Sequence, residues 1–194
     1  VLFNQDSLLP ALDELSMQLA SPHAWQHLDL VLRWLTYALC VRETTAGIQK
    51  VLKVMQEIMQ LSASTGKPLH DAEAALLLPH VLERSGHKSE RHRTAFKSFL
   101  ESSRTCVSPK AQIAALIPIF SCKNKRSRVV ALEEAQALVS TYGYTALTRA
   151  GCKEVGAMLD AKDSDVSVRN ACLDLCMQCL APAGLNGDSA KLFK

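Results

Sequence analysis

Apolar residues recur at i, i+3, i+4 and i+7 in almost every segment of the chain, the spacing of one covered face of an α-helix. Ile48, Val51, Leu52, Met55 and Met59 form one such stripe, and Val168, Ala171, Cys172, Leu175, Cys176 and Cys179 form another. Each is wide enough to bury against a neighbouring helix. Alternating runs of β-branched residues are missing, so the pattern predicts an all-α fold. Gly66, Gly86, Gly143 and Gly187 stand where apolar stripes stop, as residues beyond a helix end do. The stretch from Ser21 to Leu35 reads as a single helix with one tryptophan near each end. Trp34 and Tyr37, on a segment apolar nearly all round, are expected in the core.

The punctuation repeats. Ser21-Pro22 and Ser108-Pro109 each offer a hydroxyl at the N-cap and a proline at the first helical position, and Lys67-Pro68 falls between them. Pro79 and Pro118 occupy like positions inside the helices that follow. Arg93 before Ala95, Arg128 before Ala131 and Arg169 before Ala171 set a basic residue ahead of a small one that lets helices approach closely, and Asp163 and Asp165 precede the last of these helices as capping carboxylates. A recurrence of roughly 40 residues is the period of two-helix solenoid repeats. The reading is an α-solenoid of paired antiparallel helices in a single domain over 1–194, with pairs at about 2–41, 44–86, 89–121, 124–160 and 163–194. The last pair is cut short near Lys191, and a sixth is expected to be missing.

Composition changes this picture little. An apolar fraction of 48% and a charged fraction of 21% fit a folded, soluble chain. There is no run of apolar residues long enough to span a membrane and no basic-then-apolar leader, so no membrane partner is expected. Seven cysteines in such a chain are expected to be reduced thiols. A net charge of +3 decides nothing without a local patch. The strongest patches are His87 to Arg93 and Lys123, Lys125, Arg126 and Arg128, at turns between pairs. They read as solvated caps and inter-repeat ion pairs, or as a basic edge for another protein. With no interleaved aromatics and no helix presented to a groove, no nucleic-acid partner is expected.

Candidate chemistry is sparse. Cys172, Cys176 and Cys179 reproduce the spacing of a radical-SAM iron–sulfur motif, yet they fall on one helix face among Ala171 and Leu175, where cysteine serves as a small hydrophobe. Zinc lacks a fourth ligand at suitable spacing. The six histidines form no metal motif, and there is neither a phosphate-binding glycine loop nor a nucleophile elbow. The chain is read as non-enzymatic, with no catalytic residue, cofactor or metal. Trp25, between His23 and His27 at the mouth of a helix, is the odd residue. Covering half of a tryptophan's roughly 200 Å² is worth about 2–3 kcal/mol, so the ring seeks cover against its own helix stem or against a partner.

The segments LDLVLRWLTYAL (28–39), KNKRSRVVALEEAQALVSTYG (123–143) and DSDVSVRNACLDL (163–175), in this order and spacing, resemble the TOG domains of microtubule polymerases, most of all the fourth module of the five-module animal type. The resemblance spans essentially the whole chain. It implies a flat paddle of HEAT repeats whose intra-repeat loops share one edge and bind the αβ-tubulin heterodimer or the microtubule lattice. A tryptophan often stands in the first loop of that family, and lysine or arginine in later ones. Carried onto this chain, those positions are Trp25 in loop 21–27, Lys67 in 62–70, Arg104 and Lys110 in 104–110, Arg149 in 143–150, and Lys191 at the start of the final helix. The resemblance further implies a monomeric module tethered to sibling TOG modules, in the cytoplasm on the cytoskeleton, at spindle poles or plus ends. The alternative is a HEAT spacer or scaffold module that does not bind tubulin and orients the array, or binds another protein through its basic inter-repeat edge.

Overall fold

The computed structural model describes residues 5–41, 44–160 and 165–180, and among them every regular element is helical. The chain divides into two compact units, residues 1–81 with 88–108 and residues 82–87 with 109–194.

The first unit is built from α1 (Gln5–Gln18), the short α2 (Pro22–Gln26), α3 (Leu28–Val41), α4 (Thr45–Thr65), most of α5 (Asp71–Ser85) and α6 (Glu90–Ser103). The central α4 packs on α1, α3 and α6 and buries Ile48, Val51, Leu52, Met55 and Met59, as the period of the sequence requires. Phe96 and Phe99 of α6 and Leu32, Leu35 and Leu39 of α3 fill the same core. At about 1.5–3 kcal/mol per large apolar side chain, this burial dominates the stability. Polar side chains then tie each helix to its counterpart one repeat away. Lys50 pairs with Asp13 and Ser16 donates to Glu57, from α4 and α1; Gln56 Nε2 donates to Ser98 Oγ at 2.9 Å; and Thr36 Oγ1 donates to the Leu76 carbonyl at 3.4 Å. These partners lie 37 to 42 residues apart, so the repeat period is also the period of the cross-ties.

The second unit holds the end of α5, then α7 (Pro109–Phe120), α8 (Lys125–Tyr142), a 3₁₀ turn (Tyr144–Ala146), α9 (Arg149–Asp160) and α10 (Val166–Leu180). Helix α8 packs on α7 and α10, and α9 packs on the same two. Fully buried Ala131 and nearly buried Ala171 let α8 and α10 approach, and Gln136 Nε2 donates across to the Ala171 carbonyl at 3.0 Å. Asn124 caps α8 by accepting from the backbone of Arg126 and Ser127. Asp165 caps α10 by accepting from Ser167 N at 2.9 Å. That backbone hydrogen bond, aided by Lys125 at 3.5 Å, holds the Asp165 carboxyl below its ordinary range.

Several expectations need correction. The chain breaks at His27 (φ −119°, ψ 28°), so Trp25 and Trp34 ride on different helices. Tyr37 is not core: it is 53% exposed, with Leu30 and Val41 on the same outer side, while Trp34 is half-buried. A helix apolar all round does not reveal which side its neighbours cover, and α3 buries Leu28, Leu32, Leu35 and Leu39 instead. Ser21 occupies the N-cap of α2 without a side-chain cap, and the Ser108 hydroxyl donates to Asp71 Oδ1 at 2.7 Å. Gly187, Asp163 and the second helix of the last pair lie outside the described residues.

Candidate protein-binding loops

In the first unit the loop after α4 is fixed by its own backbone. Gly66 takes the left-handed conformation (φ +64°), its N–H reaches the Ala63 carbonyl, and Lys67 N donates to Ser62 O at 3.1 Å. The Ser62 hydroxyl closes the turn by donating to Lys67 O. A glycine adopts this conformation without the strain a β-carbon would bring. Lys67 is exposed while Leu69, 4% exposed, anchors the loop ahead of α5. His70 N donates to Glu73 Oε2 at 2.8 Å, the reciprocal half of a capping box, which starts α5.

The next loop is tied to this one. Leu69 N donates to the Cys106 carbonyl at 2.9 Å, the Cys106 thiol donates to Met59 O at 3.0 Å, and Ser108 binds Asp71. Residues 66–71 and 105–108 face each other across a shallow groove of 880 Å³. Arg104, half-buried, stands at the C-cap of α6 and leads into this loop.

Trp25 is half-buried, and its indole N–H donates to the Leu19 carbonyl at 3.0 Å. A 510 Å³ recess is lined by Pro22, Trp25 and Leu28 from the first loop and its flanks and by Thr65, Lys67, Pro68 and Glu73 from the second. The structure therefore brings together Trp25 and Lys67, from loops that the sequence separates by a full repeat.

Lys110 and Arg149 belong to the second unit, where both are exposed, Lys110 in the first turn of α7 and Arg149 at the start of α9. Among the described residues Lys67, Lys110 and Arg149 form no ion pair. Lys191 lies outside the described residues. Two aromatic residues escaped the sequence reading: Tyr142 and Tyr144, 46% and 37% exposed, flank Gly143 (φ +82°) in the loop that leads to Arg149. The signal available was a pair of tyrosines straddling a helix-ending glycine.

The basic runs are partly structural. His92 is 2% exposed, and Arg93 Nη1 donates to the Lys88 carbonyl at 2.8 Å. In the second unit Lys125 pairs with Asp165, while Lys123 and Arg126 are exposed. The cysteine stripe of α10 is buried. Desolvation pushes the Cys172 and Cys179 thiols up to about 11 and Cys176 to about 12, with Cys152 of α9 near enough to raise the last two further. Such thiols are protonated packing groups.

No family model matches the chain. It is 27% identical over 151 residues to zygote defective protein 9 of Caenorhabditis elegans, covering 78% of this chain, and 27% identical over 173 residues to protein mini spindles of Drosophila melanogaster, covering 88%. It spans only 10% and 8% of the length of these two relatives. A solved structure described as "TOG-tubulin binding specificity promotes microtubule dynamics and mitotic spindle formation" superposes with a TM-score of 0.87 at 22% identity, over 99% of this chain and 77% of the other. The TOG domain structure of C. elegans Zyg9 does so with 0.83 at 24% identity, over 96% and 69%.

Proposed function

We propose that this chain, an all-α HEAT-repeat solenoid with the fold of TOG domains, binds tubulin through its intra-repeat loops as one non-enzymatic module of a longer microtubule regulator. The observation that carries this reading is the joining of Trp25 and Lys67 in one recess on loops held by backbone hydrogen bonds. An aromatic wall beside a cation with no ion pair of its own is the composition of a binding hot spot. Loops already fixed lose little entropy on docking. In the second unit Lys110, Arg149 and the two tyrosines add cationic and aromatic contacts of the same kind. Each exposed ion pair contributes little alone, so tethering to sibling modules supplies the effective concentration that makes weak contacts sufficient. The setting proposed is the cytoplasmic microtubule cytoskeleton, and no described helix is long and apolar enough to cross a membrane. Placement as the fourth module rests on the segments at 28–39, 123–143 and 163–175.

Size-exclusion chromatography of the chain with unpolymerised tubulin tests the proposal. Co-elution is expected, and the double change Trp25→Ala with Lys67→Ala should abolish it while the chain still melts cooperatively. A chain that never co-elutes, and does not pellet with microtubules, is instead the spacer or scaffold module.

A further inference from the structure

Two serines stand immediately before a proline, Ser21 and Ser108, and the structure holds them differently. The Ser108 hydroxyl donates to Asp71 Oδ1 at 2.7 Å, between buried Val107 and the start of α7, a helix that buries seven of its twelve residues. Freeing that serine means opening a packed helix end. Ser21 sits at the N-cap of α2 with φ −80° and ψ 145°, and its side chain makes no cap bond. Helix α2 is five residues long and none of them is buried. Ala20, Pro22 and His23 are exposed, and the Trp25 indole bond to Leu19 is the side-chain tie that spans the segment. A single turn without a core lies at the low end of the scale of local stability, so it opens at small cost. Proline disfavours the helical region for the residue before it, which leaves Ser21 already extended.

We infer that Ser21 is a phosphate-acceptor site for proline-directed protein kinases, and that its phosphate opposes docking at the first loop. Such enzymes take the acceptor in an extended segment followed by proline, whose missing N–H needs no partner. In the transfer Ser21 Oγ bonds to the γ-phosphorus of ATP and the bond from that phosphorus to the β–γ bridging oxygen breaks. ADP leaves, and the hydroxyl proton passes to the kinase's carboxylate base. Ser21 lies between Ala20 and Pro22, which both line the recess beside Trp25. A phosphate at that margin carries about −2 charge at neutral pH, and a partner covering the recess must strip its water, so docking is disfavoured. The effect on docking rests on the tubulin-binding reading, whereas the acceptor assignment does not.

The test uses Ser108 as the control within the same molecule. The full folded chain is treated with ATP, Mg²⁺ and a purified proline-directed kinase, and peptide mass spectrometry follows the two serines separately. Ser21 should be modified about tenfold faster than Ser108 or more, because its segment opens more readily. Ser21→Ala should leave no fast site and melt as the unaltered chain does. An unmodified Ser21, or a Ser108 that keeps pace with it, overturns the assignment. The phosphorylated chain is then run with unpolymerised tubulin on a size-exclusion column, beside kinase-treated Ser21→Ala and the untreated chain. Loss of co-elution from the phosphorylated chain alone is expected. Equal co-elution of all three overturns the effect on docking. Absence of co-elution from all three overturns the tubulin-binding reading and its regulation together, while the acceptor site stands on its mass.

Discussion

Gly86 and Ser127 touch through atoms that leave no room for a side chain. A β-carbon on Gly86 would lie 2.5 Å from the backbone nitrogen and 2.5 Å from the hydroxyl of Ser127, and 2.8 Å from the Asn124 amide. In the native contact Gly86 N donates to Ser127 Oγ at 3.2 Å, and the same hydroxyl donates to the Glu83 carbonyl at 2.6 Å. The end of α5 is thereby locked to the start of α8. One of the three groups met is backbone, and it yields only if the two segments separate. Gly86→Ala is expected to destabilise the chain by roughly 1–3 kcal/mol, the cost of overpacking a filled site. Chemical denaturation reads this as a lower midpoint with an unchanged slope; an unshifted midpoint would show that α8 moves aside freely.

Asn124 supplies the cap on the other side of that contact. Its side-chain oxygen accepts from Arg126 N at 3.1 Å and Ser127 N at 3.5 Å. Replacing it with alanine leaves both donors to water and is expected to cost about 1 kcal/mol. Asn124→Asp retains the acceptor and adds a charge favourable at a helix N-terminus, so it should melt at least as high as the unaltered chain. Thermal melts of the two variants side by side separate capping from side-chain packing.

The helices and the cysteine stripe were legible because each is written locally. A 3.6-residue period marks the buried face of α4 and α10, and the left-handed Gly66 ends α4 where its stripe stops. The break at His27 was not legible: Gln26, His27 and Leu28 contain no residue that forbids a helix. The outward position of Tyr37 was hidden for another reason, since α3 is apolar on both sides and only its neighbours choose between them. The join between Trp25 and Lys67 is non-local, made by the packing of segments a full repeat apart, which no window of sequence contains. What could be read was the type of residue at each loop; what could not was which loops share a cavity.

Buried thiols set the alkaline limit of the fold. The ordinary thiol pKa of 9.0 is raised to about 11, 12 and 11 at Cys172, Cys176 and Cys179, chiefly by desolvation. Between the unfolded and folded values the native state keeps protons that the unfolded chain releases, so stability is fully present below about 9 and falls as pH rises toward the folded values. The melting temperature should therefore drop between about pH 9 and pH 11, and Cys176→Ala should flatten that drop even though it lowers the melt at neutral pH. Native alkylation followed by mass spectrometry gives a second reading: Cys40 and Cys122, both half-buried, should label well before the three thiols of α10. Equal labelling of all seven would show that α10 opens readily.

Lys67 offers the sharpest separation of binding from folding. Its ammonium is exposed and makes no ion pair among the described residues, while its backbone is held at both N–H and C=O by Ser62. Changing the side chain therefore leaves the turn intact, and Lys67→Ala and Lys67→Glu should both melt within about 0.5 kcal/mol of the unaltered chain, as surface changes away from structural contacts do. Binding should respond in graded fashion. Under the proposed binding through cationic loops, removing the charge loses one attractive contact, whereas reversing it turns that attraction into repulsion, so Lys67→Glu should weaken tubulin binding more than Lys67→Ala. Raising the salt shortens the screening length from about 10 Å at 0.1 M to about 3 Å at 1 M, so the gap between the two variants should narrow as salt is added. Titrations at two ionic strengths measure that gap, and a gap independent of salt would mean that Lys67 acts through the shape of the recess and not through its charge.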